Sequence, residues 1–138
     1  MANSTTLFKL PDGRMAVDVT ENKTLAVTDN GTVQNVIADS LTITLPATVV
    51  GYTYTIRNGG DNATSTPTRS GADESMIVKI LPNASDLIAG MELTASDADS
   101  INNTKVTAKV GDEIQIVANG TTGWNIVYVK GTWAQIAI

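Results

Sequence analysis

The chain has no cysteine and no histidine among its 138 residues, and Phe8 is its single phenylalanine. Without cysteine there is no disulfide framework, thiolate nucleophile or thiolate metal ligand. Without histidine there is no imidazole base, and zinc sites of the His/Cys type are excluded. Acid–base chemistry would fall to carboxylates, and none of them forms a pattern that points to the cleft and raised pKa of a glycoside hydrolase. No glycine loop opens a helix to cradle phosphate, because Gly59-Gly60 runs into a polar stretch. The expectation is a protein that is not an enzyme and needs no cofactor.

Charge is also sparse. Charged residues make up 17% of the chain and the net charge is −5, with Lys9, Arg14, Lys23, Arg57, Arg69, Lys79, Lys105, Lys109 and Lys130 scattered singly. A generic nucleic-acid binder clusters its cations to displace phosphate counterions, so neither nucleic acid nor an acidic membrane is expected as a partner. No apolar run approaches the ~18 residues of a membrane span. Met1 to Leu10 shows no basic region followed by a long apolar stretch, so no secretory signal is expected. The chain is expected to be made in a cytoplasm and to stay soluble. Its Asn-x-Ser/Thr triplets, such as those at Asn30, Asn83 and Asn119, then read as turn asparagines beside strand threonines.

What is present is aliphatic. Hydrophobic residues reach 42% while aromatics stay at 4%, so the core must come from Val, Ile and Leu, which suit a pleated surface. Leu41, Ile43 and Leu45 alternate with Thr42 and Thr44; Tyr52, Tyr54 and Ile56 alternate with Thr53, Thr55 and Arg57. Val106, Ala108 and Val110, and likewise Ile114, Ile116 and Ala118, follow the same period of two. Turn signals separate these runs at Asp29-Asn30-Gly31, Asn58-Gly59-Gly60-Asp61, Gly111-Asp112 and Asn119-Gly120. The pattern predicts an all-β fold: an antiparallel β-sandwich or β-barrel-like single domain over 23–138, preceded by an N-terminal arm or hairpin over 1–22. One helical turn is predicted at Asn83 to Ile88. No repeat of fixed period is visible, which argues against a solenoid.

Asn62 to Ser75 and Met91 to Asn103 read as polar excursions. Asp97 and Asp99, near Asn102 and Asn103, offer oxygen ligands of the kind Ca²⁺ takes, but their spacing does not match an EF-hand loop and a solvated acidic loop is the default reading. At the N-terminus, Leu7-Phe8-Lys9-Leu10 and Arg14 to Thr20 flank a Pro11-Asp12-Gly13 turn. This segment is either a first hairpin or an extended arm pairing with another subunit. At the other end, Trp124 to Val129 is apolar on both faces, and Thr132 to Ile138 carries no side-chain charge. Such strands belong in a core or in a subunit contact. Trp124 and Trp133 could alternatively stack on sugar rings.

Several segments together resemble a known group: Leu45-Pro46-Ala47-Thr48, Gly51 to Gly60, Ile77 to Pro82, Asp86 to Gly90, Val110 to Ile114, Gly123-Trp124-Asn125-Ile126 and Gly131-Thr132-Trp133. From Leu41 to Gln135 the chain is similar to the small head-decoration, or cement, proteins of tailed phages and to β modules of phage head and tail fibres. The resemblance implies a structural virion protein on the outer capsid surface, often a homotrimer, seated where major capsid protein subunits meet and stabilising the shell. On that reading Leu7, Phe8, Leu10 and Arg14 form the candidate capsid-contact arm. Trp124, Ile126, Tyr128, Trp133 and Ile136 form the candidate oligomer interface. The alternatives are a fibre or spike module binding a glycan receptor, and a carbohydrate-binding domain.

Overall fold

The alternating runs become strands because each lays one apolar row against a shared core. The computed structural model of the protein describes residues 3–49, 51–60, 77–84, 86–90, 100–103, 107–120 and 123–136. One sheet has seven strands in the order β1 (Leu7–Lys9), β2 (Met15–Val19), β4 (Val33–Val36), β6 (Thr53–Asn58), β10 (Glu113–Ala118), β11 (Gly123–Lys130) and β8 (Leu87–Ala89). The other has five: β12 (Trp133–Ile136), β9 (Ser100–Asn103), β7 (Val78–Leu81), β5 (Leu41–Thr44) and β3 (Lys23–Thr24). Among the described residues the remaining regular element is a 3-10 turn at Val27–Asp29. Among the described residues no helix is long and apolar enough to cross a membrane.

The all-β class therefore holds, but the expected antiparallel arrangement does not. Both sheets are mixed, with β2–β4, β4–β6, β3–β5, β5–β7 and β11–β8 parallel. From β2 to β7 the chain changes sheet at every step and each return lays a strand parallel to the one before it in that sheet, whereas β9 and β10 run antiparallel to β7 and β6. Alternation in sequence reports only that one face is buried; it is silent on strand direction. The middle of the chain thus winds like a coil, contrary to the argument against a solenoid. Ala16 opposes Val33 and Val33 opposes Thr55, so successive returns take 17 and then 22 residues. Unequal turns of this kind leave no fixed period to detect.

Two local expectations are also corrected. Residues 107–110 form turn and coil rather than a strand, although Ala108 and Val110 are buried as their alternation required. The predicted helical turn at Asn83 to Ile88 shortens to one turn, closed by the Asp86 amide on the Asn83 carbonyl (2.8 Å) with Ala84 at φ 41°, and strand β8 begins at Leu87. Close approach of β8 to β11 explains the choice. At Gly123 (φ +158°) a Cβ would overlap the Leu87 carbonyl, so the parallel pairing relies on a bare backbone there.

A single apolar cluster draws on both sheets, with Val36, Tyr54, Ile56, Ile114, Ile116 and Trp124 from the larger and Ile43, Val78, Ile80, Ile101 and Trp133 from the smaller. Trp124 sits at its centre, fully buried, its ring centroid 5.6 Å from that of Tyr54. A buried polar clasp ties the sheets at one end. Asn58 Nδ2 donates to Asn103 Oδ1 (2.8 Å), and Asn103 Nδ2 donates to Asp112 Oδ2 and to the Thr132 carbonyl (both 3.0 Å).

The Tyr54 hydroxyl donates to the Ala26 carbonyl at 3.0 Å. Burial, followed by the proximity of Tyr52 and Asp29, pushes its pKa up to about 12. A tyrosine in the unfolded chain ionises near pH ~10, so the folded state holds this proton more tightly. The contribution is complete below that value and is lost as pH rises through about 12. Urea titrations at increasing alkalinity should show stability falling across this window, and falling less steeply in Tyr54→Phe. An equal decline in both proteins would assign the effect to other groups.

Candidate functional site

The most elaborate polar arrangement lies on the outer face of the seven-stranded sheet. Register brings Asp18, Asn35, Arg57, Glu113 and Lys130 side by side across five strands. Asp18, Asn35, Arg57 and Glu113 each adjoin a residue that faces the core, so they point away from it, and Lys130 continues the row as the register partner of Glu113. Asn35 Nδ2 donates to Asp18 Oδ1 (2.9 Å), and Arg57 Nη1 donates to Asn35 Oδ1 (2.8 Å). The β1–β2 turn folds over this row through Gly13, at φ +92°, and brings Arg14 down onto it. Arg14 grips Glu113 with two nitrogens on two oxygens, both at 2.7 Å, and donates from Nε to Asp12 at 2.8 Å.

A cleft of about 290 Å³ results, walled by Leu10, Pro11, Asp12 and Arg14 on one side and Tyr128 and Lys130 on the other. Its floor holds Arg57, Gly111 and Glu113. The fork onto Glu113 raises the Arg14 pKa further above its already high value, since the charged form gains the hydrogen bonds. The Arg14 backbone amide, ahead of its side chain, holds the Asp12 carboxyl below the usual range. Both carboxylates of the cleft are therefore already engaged. Arg57 differs: burial lowers its pKa, and it forms no ion pair among the described residues. Its Nη2 and the Lys130 Nζ both come within 3.9 Å of where a Gly111 Cβ would stand.

Beside this cleft runs an apolar strip. Strand β11 pairs with β10 along its length, whereas β8 covers only Gly123, Trp124 and Asn125 on the other edge. Gly90 approaches Ile126, and beyond it no described residue pairs with that edge. Val127 is 57% exposed and Tyr128 48%, with Val129 next to them and Ile136 of β12 also exposed. A register shift between Gln115 and Ile116 of β10 lies opposite this stretch. Bulges of this type twist a strand and re-aim its side chains.

The residues singled out from sequence separate into two groups. Leu7 is exposed on β1, while Phe8 packs half-buried against Leu10, Ala16 and Val33 in a small second apolar cluster. Residues 7–20 pair within the chain as the β1–β2 hairpin, and Arg14 contributes to the cleft. Trp124 and Trp133 are core residues and present no face to a sugar ring; Trp133 Nε1 donates to the Lys130 carbonyl at 3.0 Å. Ile126 is half-buried, and of the expected interface set Tyr128 and Ile136 are exposed. Asp12, Arg57, Glu113 and Lys130 were not foreseen as a group. Glu113 is 99 positions from Arg14, and no local motif signals their meeting. The excursion at 62–75 and the candidate calcium ligands Asp97 and Asp99 lie outside the described residues, as does most of 91–103.

No protein-family model, no curated protein and no solved structure matches the chain. This corrects the identity drawn from the resemblance: the assignment as a bacteriophage virion, capsid-decoration or cement protein, and the homotrimer that came with it, has no support and is withdrawn. The segments that carried the resemblance have local explanations. Leu45 is a core residue closing β5, Pro46 ends that strand, and Gly51 and Gly131 occupy positive-φ turns. Short features of this kind arise in any turn-rich β chain.

Proposed function

We propose that this chain is a structural domain that acts by lateral attachment to neighbouring protein subunits, copies of itself in the first instance, rather than by chemistry. Its two mixed sheets serve as a β-sandwich-like frame that holds one adhesive edge. The observation that carries this reading is the open edge of β11, where Val127, Tyr128 and Val129 are exposed beside a strand edge unpaired by any described residue. An unpaired apolar edge invites strand addition, in which main-chain hydrogen bonds supply affinity and alternate side chains supply selectivity. Charge on such an edge is the usual protection, and here the first charged side chain is Lys130 at its end. Several weak contacts of this kind made at once would hold a subunit firmly in an array.

Sedimentation velocity across a concentration series tests the reading. The native chain should associate reversibly, and Val127→Lys combined with Tyr128→Lys should sediment as a monomer. Both positions face solvent, so thermal stability should change by no more than ~0.5 kcal/mol. A native chain that remains monomeric at every accessible concentration would overturn the proposal.

A further inference from the structure

We infer that the cleft between the β1–β2 turn and β11 is a receptor for one carboxylate, presented by an acidic side chain of a neighbouring protein subunit. The inference rests on reading this face as a protein contact and names the chemistry that the contact would select. Three cations, Arg14, Arg57 and Lys130, meet two carboxylates, Asp12 and Glu113, which leaves one positive charge in excess. Arg14 satisfies both carboxylates, whereas Arg57 Nη2 and Lys130 Nζ converge beside Gly111. Arg57 is held in place by Asn35, itself fully buried and anchored to Asp18, so its orientation costs nothing further when a ligand arrives.

Size and charge choose among oxyanions. A volume of about 290 Å³ holds a side chain rather than a nucleotide. One surplus positive charge matches a monoanion, while a phosphate monoester dianion would leave the cleft net negative. Tyr128 at the rim offers its ring to the methylenes of a glutamate and joins the cleft to the apolar strip. The chain's own excess of carboxylates, 14 against 9 basic residues, makes a second copy a ready source of such a side chain.

The titration uses the full chain, isotopically labelled, with acetyl-glutamate amide as probe, its glutamine analogue as neutral control and inorganic phosphate as rival. Magnetic resonance should show saturable shifts at the Gly111 amide, the Arg57 Nε–H and the Tyr128 ring with the acid, and none with the glutamine analogue. Arg57→Gln and Lys130→Gln should each weaken the acid by about tenfold, the loss of one charge-assisted hydrogen bond, while core amide shifts stay in place and report an intact fold. Equal shifts from the neutral analogue, a linear response without saturation, or tighter binding of phosphate would overturn the assignment. The free acid reports on the cleft alone, so its result stands apart from sedimentation, which reports on the strip.

Discussion

Replacing Trp124 by alanine should cost about 3–5 kcal/mol, the range for removing a large aromatic from a packed core. Trp124 is the largest fully buried side chain, and it touches the core between β10, β8 and the Tyr54 ring. Phe8, the chain's single phenylalanine, lies in the other cluster and cannot fill the space. A domain of this size has a total stability of roughly 5–15 kcal/mol, so the loss removes at least about a fifth of it and lowers the melting temperature by about 10–20 °C. Among the described residues the Trp124 indole N–H has no hydrogen-bond partner. That bond deficit already weighs against the native state, so Trp124→Phe, which keeps a ring and deletes the orphan donor, should cost far less than the alanine variant. Denaturation followed by Trp133 fluorescence measures both. Equal losses in the two variants would mean that a retained phenyl ring restores none of the packing.

The second large effect is expected at Gly131. This residue has φ +93°, and a Cβ there would overlap the Asp112 carboxylate. Asp112 cannot swing aside cheaply, because its Oδ2 accepts from Asn103 Nδ2 (3.0 Å) and from the Lys109 amide (2.9 Å). Gly131→Ala therefore combines a disfavoured backbone conformation, about 1–2 kcal/mol, with disruption of a buried hydrogen-bonded group, about 1–3 kcal/mol. Asp112→Ala alone leaves the Lys109 amide without that acceptor and strips one bond from Asn103. The double variant relieves the collision, so its loss should fall clearly short of the two single losses added together. Strict additivity in urea titrations would show that the clasp and the turn are energetically separate.

How much of this was legible beforehand depends on the range of the interaction. The alternations at 41–45, 52–57 and 114–118 placed Ile43, Leu45, Tyr54, Ile56, Ile114, Ile116 and Ala118 correctly on the buried face, because period two is a local consequence of the pleat. Strand direction was not legible, since parallel and antiparallel strands covered on one face alternate alike. Ala108 and Val110 alternate and are buried, yet the segment turns, because Asp112 bonds back to the Lys109 amide and holds a tight bend. The cleft is the extreme case. Arg14 drew notice as part of an N-terminal segment, but its partner Glu113 belongs to β10, and Arg57 and Lys130 reach the same spot only through sheet register.

The alternation between sheets also governs how the molecule comes into being. Among the described strands only β1–β2 and β10–β11 join neighbours along the chain; each other pairing described spans an intervening strand or more. β6 waits for β10 to supply its second neighbour, and β9 waits for β12. During synthesis, a ribosome-bound fragment ending before residue 113 would keep both edges open however long it lingered. Closure of so many distant pairings is slow, so cooperative folding should set in only once the last strands have emerged.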